Sequence, residues 1–309
     1  MKNIQREGIE TVARHSQLSK KTLAKALKDQ VYPDEASWKR FLTLLFLTLG
    51  LGFSLAGIIF FFAYNWADLH KFIKIGLVEI LVITVTVLAL WPKINSQIRH
   101  IILTGSAVLV GVLFAVFGQI YQTGANAYDF FLAWTIFVTL WVCISNFAPL
   151  WLLFVVLLNT TLILYQEQVA DWPPLLLYGI LFLGNGLIFA IAKLRQAPAY
   201  FVHTVGVAAL TFATIGMVSG ILFSFNKDYF GVFAPLVGLT YIAGLWHGIQ
   251  TKSTFYLSAI PFSSIIVIAA FLIDLSDGEW MLLSVSIFII ISVTFVIRNL
   301  IQLAKKQSS

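Results

Sequence analysis

Ten stretches of this chain are each long and apolar enough to cross a lipid bilayer. A membrane-spanning helix needs about 20 predominantly apolar residues to cross the ~30 Å hydrocarbon core. The stretches that meet this test are approximately residues 41–63, 72–91, 101–121, 129–146, 149–165, 174–193, 201–225, 230–249, 254–273 and 280–299. Only 11% of the residues are charged, whereas a soluble domain carries roughly 25%. The sequence therefore predicts an all-α fold, a polytopic transmembrane helical bundle of about ten spanning helices.

The fourth and fifth stretches are separated only by "SNFAP", residues 145–149. Asn146 and Pro149 favour a sharp turn here, which would give two separate spans. The same residues also suit one broken helix. Both interpretations remain open from the sequence.

Lys and Arg gather on one side of the predicted spans. With a cytoplasmic N-terminus, eight of them lie in the inner loops and tail: Lys93, Arg99, Lys193, Arg195, Lys252, Arg298, Lys305 and Lys306. Only three lie in the outer loops: Lys71, Lys74 and Lys227. Because an excess of Lys and Arg marks the inner side of a membrane, both termini are predicted to be cytoplasmic.

The first 40 residues are polar and basic, and they are predicted to form a cytoplasmic helical arm before a transmembrane domain at 41–300 and a cytoplasmic tail at 301–309. Leu23 and Leu27 follow helical spacing, as expected for an amphipathic helix on anionic lipid. The segment "LSKKTLAKAL" is similar to the first part of a helix-turn-helix, but the first span leaves no room for a recognition helix. No nucleic-acid partner is predicted.

No residue pattern in the chain predicts catalysis. The five histidines have no ligand spacing to one another, so no metal site is predicted. The "GMVSG" segment around Ser219 has the wrong spacing for a nucleophile turn, and the sequence contains no HExxH, Walker A or Gly-rich nucleotide motif. We therefore expect a protein that is not an enzyme and has no cofactor.

Two segments carry a resemblance to a known family. They are "FFAYNWADLHKFIK" at 61–74, with its Asn-Trp pair, and "FGQIYQTGANAYD" at 117–129, with its Gly-Gln-Ile-Tyr run. Over roughly residues 8–165 the chain resembles the bacterial membrane proteins grouped as domain-of-unknown-function family 2157. The resemblance implies a multi-pass protein of the bacterial inner membrane without an assigned activity. It also implies a second membrane protein, encoded nearby and carrying a Gly-Asp-Tyr motif, as a partner.

A short polar segment between the first two predicted spans is the first candidate site. It contains Asn65, Trp66 and Asp68, and Lys74 follows in the second span. In one interpretation these residues are interfacial, because Asn ends helices in the left-handed conformation, Trp belongs to the aromatic belt and Lys extends towards headgroups. In the other interpretation the four side chains form one wall of an outward-facing polar pocket.

Glu79 is the one acid well inside a predicted span. A carboxylate in hydrocarbon is costly and usually faces a bundle interior, a cavity or a partner. Thr86 shares its helix face, whereas Lys74 points elsewhere and is not expected to pair with it. Three interpretations remain open: a neutral or hydrogen-bonded structural residue, an ion or proton site, and a side chain that extends outward to the interface.

The segment "GQIYQTGANAYD" is the second candidate site, with Gln119, Tyr121, Gln122 and Asp129 as its candidate residues. Gly124 is expected to end one helix, and Asn126 or Asp129 to cap the next. Alternatively, these side chains form a substrate or headgroup site with Asn65 and Glu79, since the first three outer helix ends are expected to converge.

Small residues at a spacing of four indicate close helix packing in membranes. Gly244 and Gly248 form a GxxxG pattern, and Gly52 with Ala56 forms a similar pair. We expect these faces to pack inside the bundle rather than to form a dimer.

Two functional hypotheses follow. The first is a non-catalytic membrane subunit that binds a partner protein or lipid. The second is a transporter or channel for a small solute or ion, with an outward-facing polar site around Glu79. Transport requires Glu79 to line a polar cavity, and coupled transporters use helices broken near the midplane. The sequence candidates for such breaks lie around Asn185, Pro235 and Pro261.

Overall fold

The computed structural model describes residues 22, 35–64, 70–121, 124, 126–223, 229–275 and 280–308. Within these residues ten helices are long and apolar enough to span a membrane. Their bounds are α1 Glu35–Tyr64, α2 Lys71–Leu90, α3 Ser96–Tyr121, α4 Ala127–Ser145, α5 Ala148–Tyr165, α6 Pro174–Leu194, α7 Ala199–Leu222, α8 Phe230–Thr251, α9 Thr254–Leu275 and α10 Met281–Ser308. A π-helical turn, Gln166–Ala170, continues α5. The predicted all-helical fold with ten spans is confirmed.

The helices extend beyond the predicted spans where polar residues continue them. α1 begins at Glu35 and α10 continues to Ser308, because apolar content sets where a span lies and does not set where a helix stops. Most of the predicted arm lies outside the described residues. The exceptions are Thr22 and residues 35–40, and only the latter belong to α1.

The chain turns between α4 and α5 as two separate helices. Asn146 adopts the left-handed conformation, with φ 45° and ψ 40°, and its N–H donates to the carbonyl of Val142. Pro149 lies in the first turn of α5, where its missing N–H has no helical partner to lose. The two-span interpretation of this region is therefore confirmed.

The described residues divide into two compact units, the first reaching Val116 and the second beginning at Phe117. The first unit contains α1, α2 and most of α3. Arg40 of α1 donates to the Oε1 of Gln97 at 2.8 and 3.2 Å. Leu51 fits against Gly105, where an added Cβ would lie 2.8 Å from the Leu51 Cδ1. None of residues 35–61 is buried, so α1 presents most of its surface to its surroundings.

The helices of the second unit pack against one another in several pairs. α4 packs against α5, α6 against α7, and α9 against both α7 and α8. Phe233 of α8 lies edge-on to Phe182 of α6, with ring centroids 6.3 Å apart. The Phe233 ring also fits against Gly216 of α7, where an added Cβ would lie 2.6 Å from the Phe233 Cζ. Because lipid is as apolar as these side chains, close packing stabilises the contacts between helices in the membrane.

The helices that contain internal prolines are continuous. α8 runs through Pro235 and α9 runs through Pro261, and α6 also passes through Asn185 without interruption. The sequence candidates for helix breaks therefore lie within unbroken helices.

Candidate functional site

Five of the nine candidate residues lie in the described part of the chain. Asn65, Trp66, Asp68 and Gln122 fall outside it. Lys74 and Glu79 belong to the first unit, whereas Gln119, Tyr121 and Asp129 belong to the second. Each group is therefore described within its own unit.

The side chains of Lys74 and Glu79 project from different sides of α2. Lys74 is 8% exposed, and Val78, one turn further on the same face, is fully buried. Glu79 is exposed. The helix thus directs its lysine into the first unit and its carboxylate away from the buried face.

Glu79 lies in the middle third of a spanning helix. α2 has 20 residues, which cover about 30 Å at 1.5 Å per residue, and Glu79 lies about 12 Å from the first of them. Since the hydrocarbon core is itself ~30 Å thick, neither end of the helix brings this carboxylate to the headgroup layer.

The residues of α2 within one to two turns before Glu79 and one turn after it on the same face are apolar. Phe72, Gly76, Glu79 and Ile83 follow the spacing of one helix face, and we call this set the Glu79 face. Phe72 is 64% exposed and Ile83 is 61% exposed. An added Cβ at Gly76 would meet no neighbouring atom within 4 Å. The carboxylate therefore lies on an exposed apolar surface.

Thr86 points to α3. Its hydroxyl donates to the carbonyl of Val82 at 2.7 Å and lies 2.6 Å from the hydroxyl of Ser106, which is fully buried. The polar neighbour that the sequence assigns to Glu79 is thus hydrogen-bonded to another helix.

The second candidate segment contains a helix cap. α3 ends at Tyr121, and Gly124 has a φ of 64°, a conformation that costs glycine little. The N–H of Asn126 donates to the Oδ2 of Asp129 at 3.1 Å at the start of α4. Gln119 and Tyr121 are exposed. The predicted cap of α4 is confirmed, and capping occupies the Asp129 carboxylate.

Polar side chains inside the second unit bond to one another across helices. The amides of Asn159 on α5 and Asn185 on α6 are paired reciprocally, with N–O distances of 3.1 and 2.9 Å. The hydroxyls of Thr135 and Thr161 lie 3.2 Å apart between α4 and α5. Such pairs satisfy groups that lipid cannot hydrogen-bond, so these side chains join helices and are already paired with one another.

A further hydroxyl group joins three helices. Ser263 on α9 is hydrogen-bonded to the hydroxyl of Tyr241 on α8 and lies 2.5 Å from the hydroxyl of Thr214 on α7. Ser263 is 6% exposed. The sequence shows these residues only as isolated hydroxyls within apolar runs, because their contact depends on the packing of three helices.

The described residues contain no group of three His, Cys, Asp or Glu side chains that could hold a metal ion. The free thiol of Cys143 is exposed on α4.

Residues 9–151 match the family described as "Predicted membrane protein (DUF2157)". The match includes both segments that carry the predicted resemblance, at 61–74 and 117–129, so that resemblance is confirmed. It ends just inside α5, and α6 to α10 lie beyond it. No curated protein and no solved structure matches the chain.

Proposed function

We propose that this membrane protein, with its family segment at residues 9–151, is a non-catalytic subunit that binds another protein within the bilayer through the Glu79 face. The exposed position of Glu79 carries this proposal. An ionised side chain at the centre of a spanning helix costs about 2.5–3.5 kcal/mol on insertion scales. A partner helix that supplies a hydrogen-bond donor or a cation at the same depth would offset that cost.

The neighbouring surface supports binding rather than transport. Phe72 and Ile83 are exposed apolar side chains, and Gly76 provides open space into which a partner side chain fits. Small residues beside a polar group suit helix association in lipid. Transport would instead require polar side chains around Glu79. Coupled transporters also typically use broken helices, whereas the helices around Pro235 and Pro261 are continuous.

Site-specific photocrosslinking in native membranes tests the proposal. A photoreactive residue is placed at Ile83, one turn from Glu79, and in a matched variant at Leu77, which is 39% exposed on nearly the opposite side of α2. The proposal expects a protein adduct from position 83 and none from position 77. It also expects Glu79→Leu to abolish the adduct, because leucine keeps the apolar surface and removes the carboxylate.

The mass of the adduct identifies the partner as another protein or as a second copy of the chain. Adducts with lipid alone from position 83, or a protein adduct that persists unchanged in Glu79→Leu, would refute the proposal. Uptake of a solute or ion into proteoliposomes that Glu79→Gln abolishes would favour transport instead.

A further inference from the structure

Three helix ends of the second unit meet around one lysine. Lys193 lies in the last turn of α6, His247 near the end of α8, and Tyr256 in the first turn of α9. We call these three residues the Lys193 cluster. Lys193 is exposed, whereas His247 and Tyr256 are half-buried, so the cluster opens at the end of the bundle.

The ammonium group of Lys193 lies within hydrogen-bond distance of two side chains, neither of which is a carboxylate. Its Nζ lies 2.7 Å from the Nε2 of His247 and donates to the hydroxyl oxygen of Tyr256 at 2.9 Å. It also lies 5.0 Å from the centre of the Tyr256 ring. Neither acceptor carries a negative charge, so the positive charge of Lys193 is positioned without being neutralised.

Glycines of α8 position Tyr256 at this point. An added Cβ at Gly248 would lie 2.8 Å from the Tyr256 Cβ, and one at Gly244 would lie 2.5 Å from the Ile260 Cδ1. The GxxxG pattern thus packs α8 against α9 inside the bundle. This close approach places the Tyr256 hydroxyl beside the last turn of α6.

The surrounding sequence contains no carboxylate. No Asp or Glu occurs at 187–227 or 229–273. Arg195 lies just beyond α6, and Lys252 is the residue that ends α8. The connections next to the cluster therefore add positive charge. The positive-inside distribution predicts that this end of the bundle lies on the inner side of the membrane, where anionic lipid attracts basic groups.

The cluster retains two adjacent donors. An ammonium group has three N–H donors, of which Tyr256 accepts one. His247 accepts a second in the tautomer that carries its proton on Nδ1. The Tyr256 oxygen accepts from Lys193, so its own O–H is available to donate elsewhere. The two donor atoms lie 2.9 Å apart, and one of them is cationic, which suits the oxygens of a single phosphate group.

We propose that the Lys193 cluster binds a phosphate anion, carried by the headgroup of an anionic lipid or free in solution. Lys193 supplies the charge and one donor, and Tyr256 supplies the second donor. His247 accepts from Lys193 and holds its ammonium group in place. The site uses residues of α6, α8 and α9 and is independent of the Glu79 face.

Binding to the purified full chain in detergent micelles tests this site. The probes are phosphatidylglycerol, phosphatidylcholine and inorganic phosphate, each titrated separately. Lys193→Gln should weaken phosphatidylglycerol binding by about tenfold or more, the loss expected for one charge-assisted hydrogen bond. Arg195→Gln is the matched control, because it removes the same charge two residues away and leaves the cluster intact. It should weaken binding by less than about threefold, as expected for a screened surface charge.

The two sources of phosphate give different results. Binding of phosphatidylglycerol that inorganic phosphate does not displace identifies a lipid site. Binding of inorganic phosphate alone, with the same dependence on Lys193, identifies a site for a soluble phosphate. Equal losses in Lys193→Gln and Arg195→Gln would overturn the proposal.

A second variant covers the case in which Lys193→Gln disturbs folding. Tyr256→Phe keeps the aromatic ring that packs against α8 and removes only the hydroxyl group, which is both the acceptor for Lys193 and the second donor of the site. It should weaken phosphatidylglycerol binding by about threefold to tenfold, the range for one hydrogen bond, with an unchanged unfolding temperature. Unchanged affinity in Tyr256→Phe would also overturn the proposal.

Discussion

The reciprocal amide pair of the second unit allows a quantitative test of helix association. Asn185 is 1% exposed, and its amide donates to Asn159 at 2.9 Å and to the carbonyl of Leu181 at 2.8 Å. It also accepts from Asn159 at 3.1 Å. Asn185→Leu removes these bonds while keeping the branched shape of the side chain, and it leaves the Asn159 amide without its partner on α6.

These contacts set the expected loss in the free energy of unfolding. Hydrogen bonds between membrane helices average about 0.6 kcal/mol, so two reciprocal bonds should couple the residues by about 1.2 kcal/mol. This is about an eightfold change in the unfolding equilibrium. Leaving the half-buried Asn159 amide unpaired adds to this, by less than the ~1–3 kcal/mol of a fully buried group. Asn185→Leu should therefore cost more than the coupling alone, and the double variant Asn159→Leu/Asn185→Leu should cost less than the sum of the single variants.

A double-mutant cycle measures this coupling. Wild type, the two single variants and the double variant are unfolded with SDS in lipid–detergent micelles, and the free energies of unfolding are compared. Thr211→Val serves as a control, because the exposed Thr211 hydroxyl bonds only within its own helix, to the carbonyl of Val207 at 2.8 Å. If the losses of the two single variants sum to the loss of the double variant within about 0.3 kcal/mol, the two amides act independently. The reciprocal pair would then not couple α5 to α6.

Two further pairs of variants test the packing of α7, α8 and α9. Gly216→Ala should lower the free energy of unfolding by about 1–3 kcal/mol, because the new Cβ would lie 2.6 Å from the Phe233 ring. Gly238→Ala is the matched control, since its new Cβ would meet no neighbouring atom within 4 Å. It should be neutral or stabilising by up to about 1 kcal/mol. Equal effects in thermal unfolding would contradict this. Ser263→Ala should cost about 1–3 kcal/mol because it removes the partner of the buried Tyr241 hydroxyl, whereas Thr214 keeps its bond to the carbonyl of Leu210. Ser264→Ala, which loses a bond to its own helix, should cost less than about 0.5 kcal/mol. Chemical unfolding compares the two variants.

The spans and several turns could be predicted from the sequence because their causes are local. Long apolar runs specify spanning helices. Asn146 and Pro149 specify the turn between α4 and α5, and Asn126 with Asp129 specifies the cap of α4. Each of these features depends on residues within one or two helical turns, so the pattern is complete in the chain itself.

The polar contacts between helices could not be predicted in the same way. Asn159 and Asn185 are 26 positions apart, and Lys193 and His247 are 54 positions apart. Their contacts depend on which helices are neighbours and on how each is rotated, and no spacing rule along the chain encodes either property. Glu79 was identifiable as an unusual residue, but only the structure shows that its face is exposed and apolar.

The order of helix packing in the second unit has a consequence for biosynthesis. α4 packs on α5 and α6 packs on α7, each with the helix that follows it in the chain. We expect each pair to enter the membrane as a hairpin that is already packed when it leaves the ribosome-bound insertion machinery. α7 also packs against α9, so its second surface is not covered until α9 has been synthesised. A chain that stops before α9 would therefore expose that surface, and quality-control proteases would have a means of recognising it as unfinished.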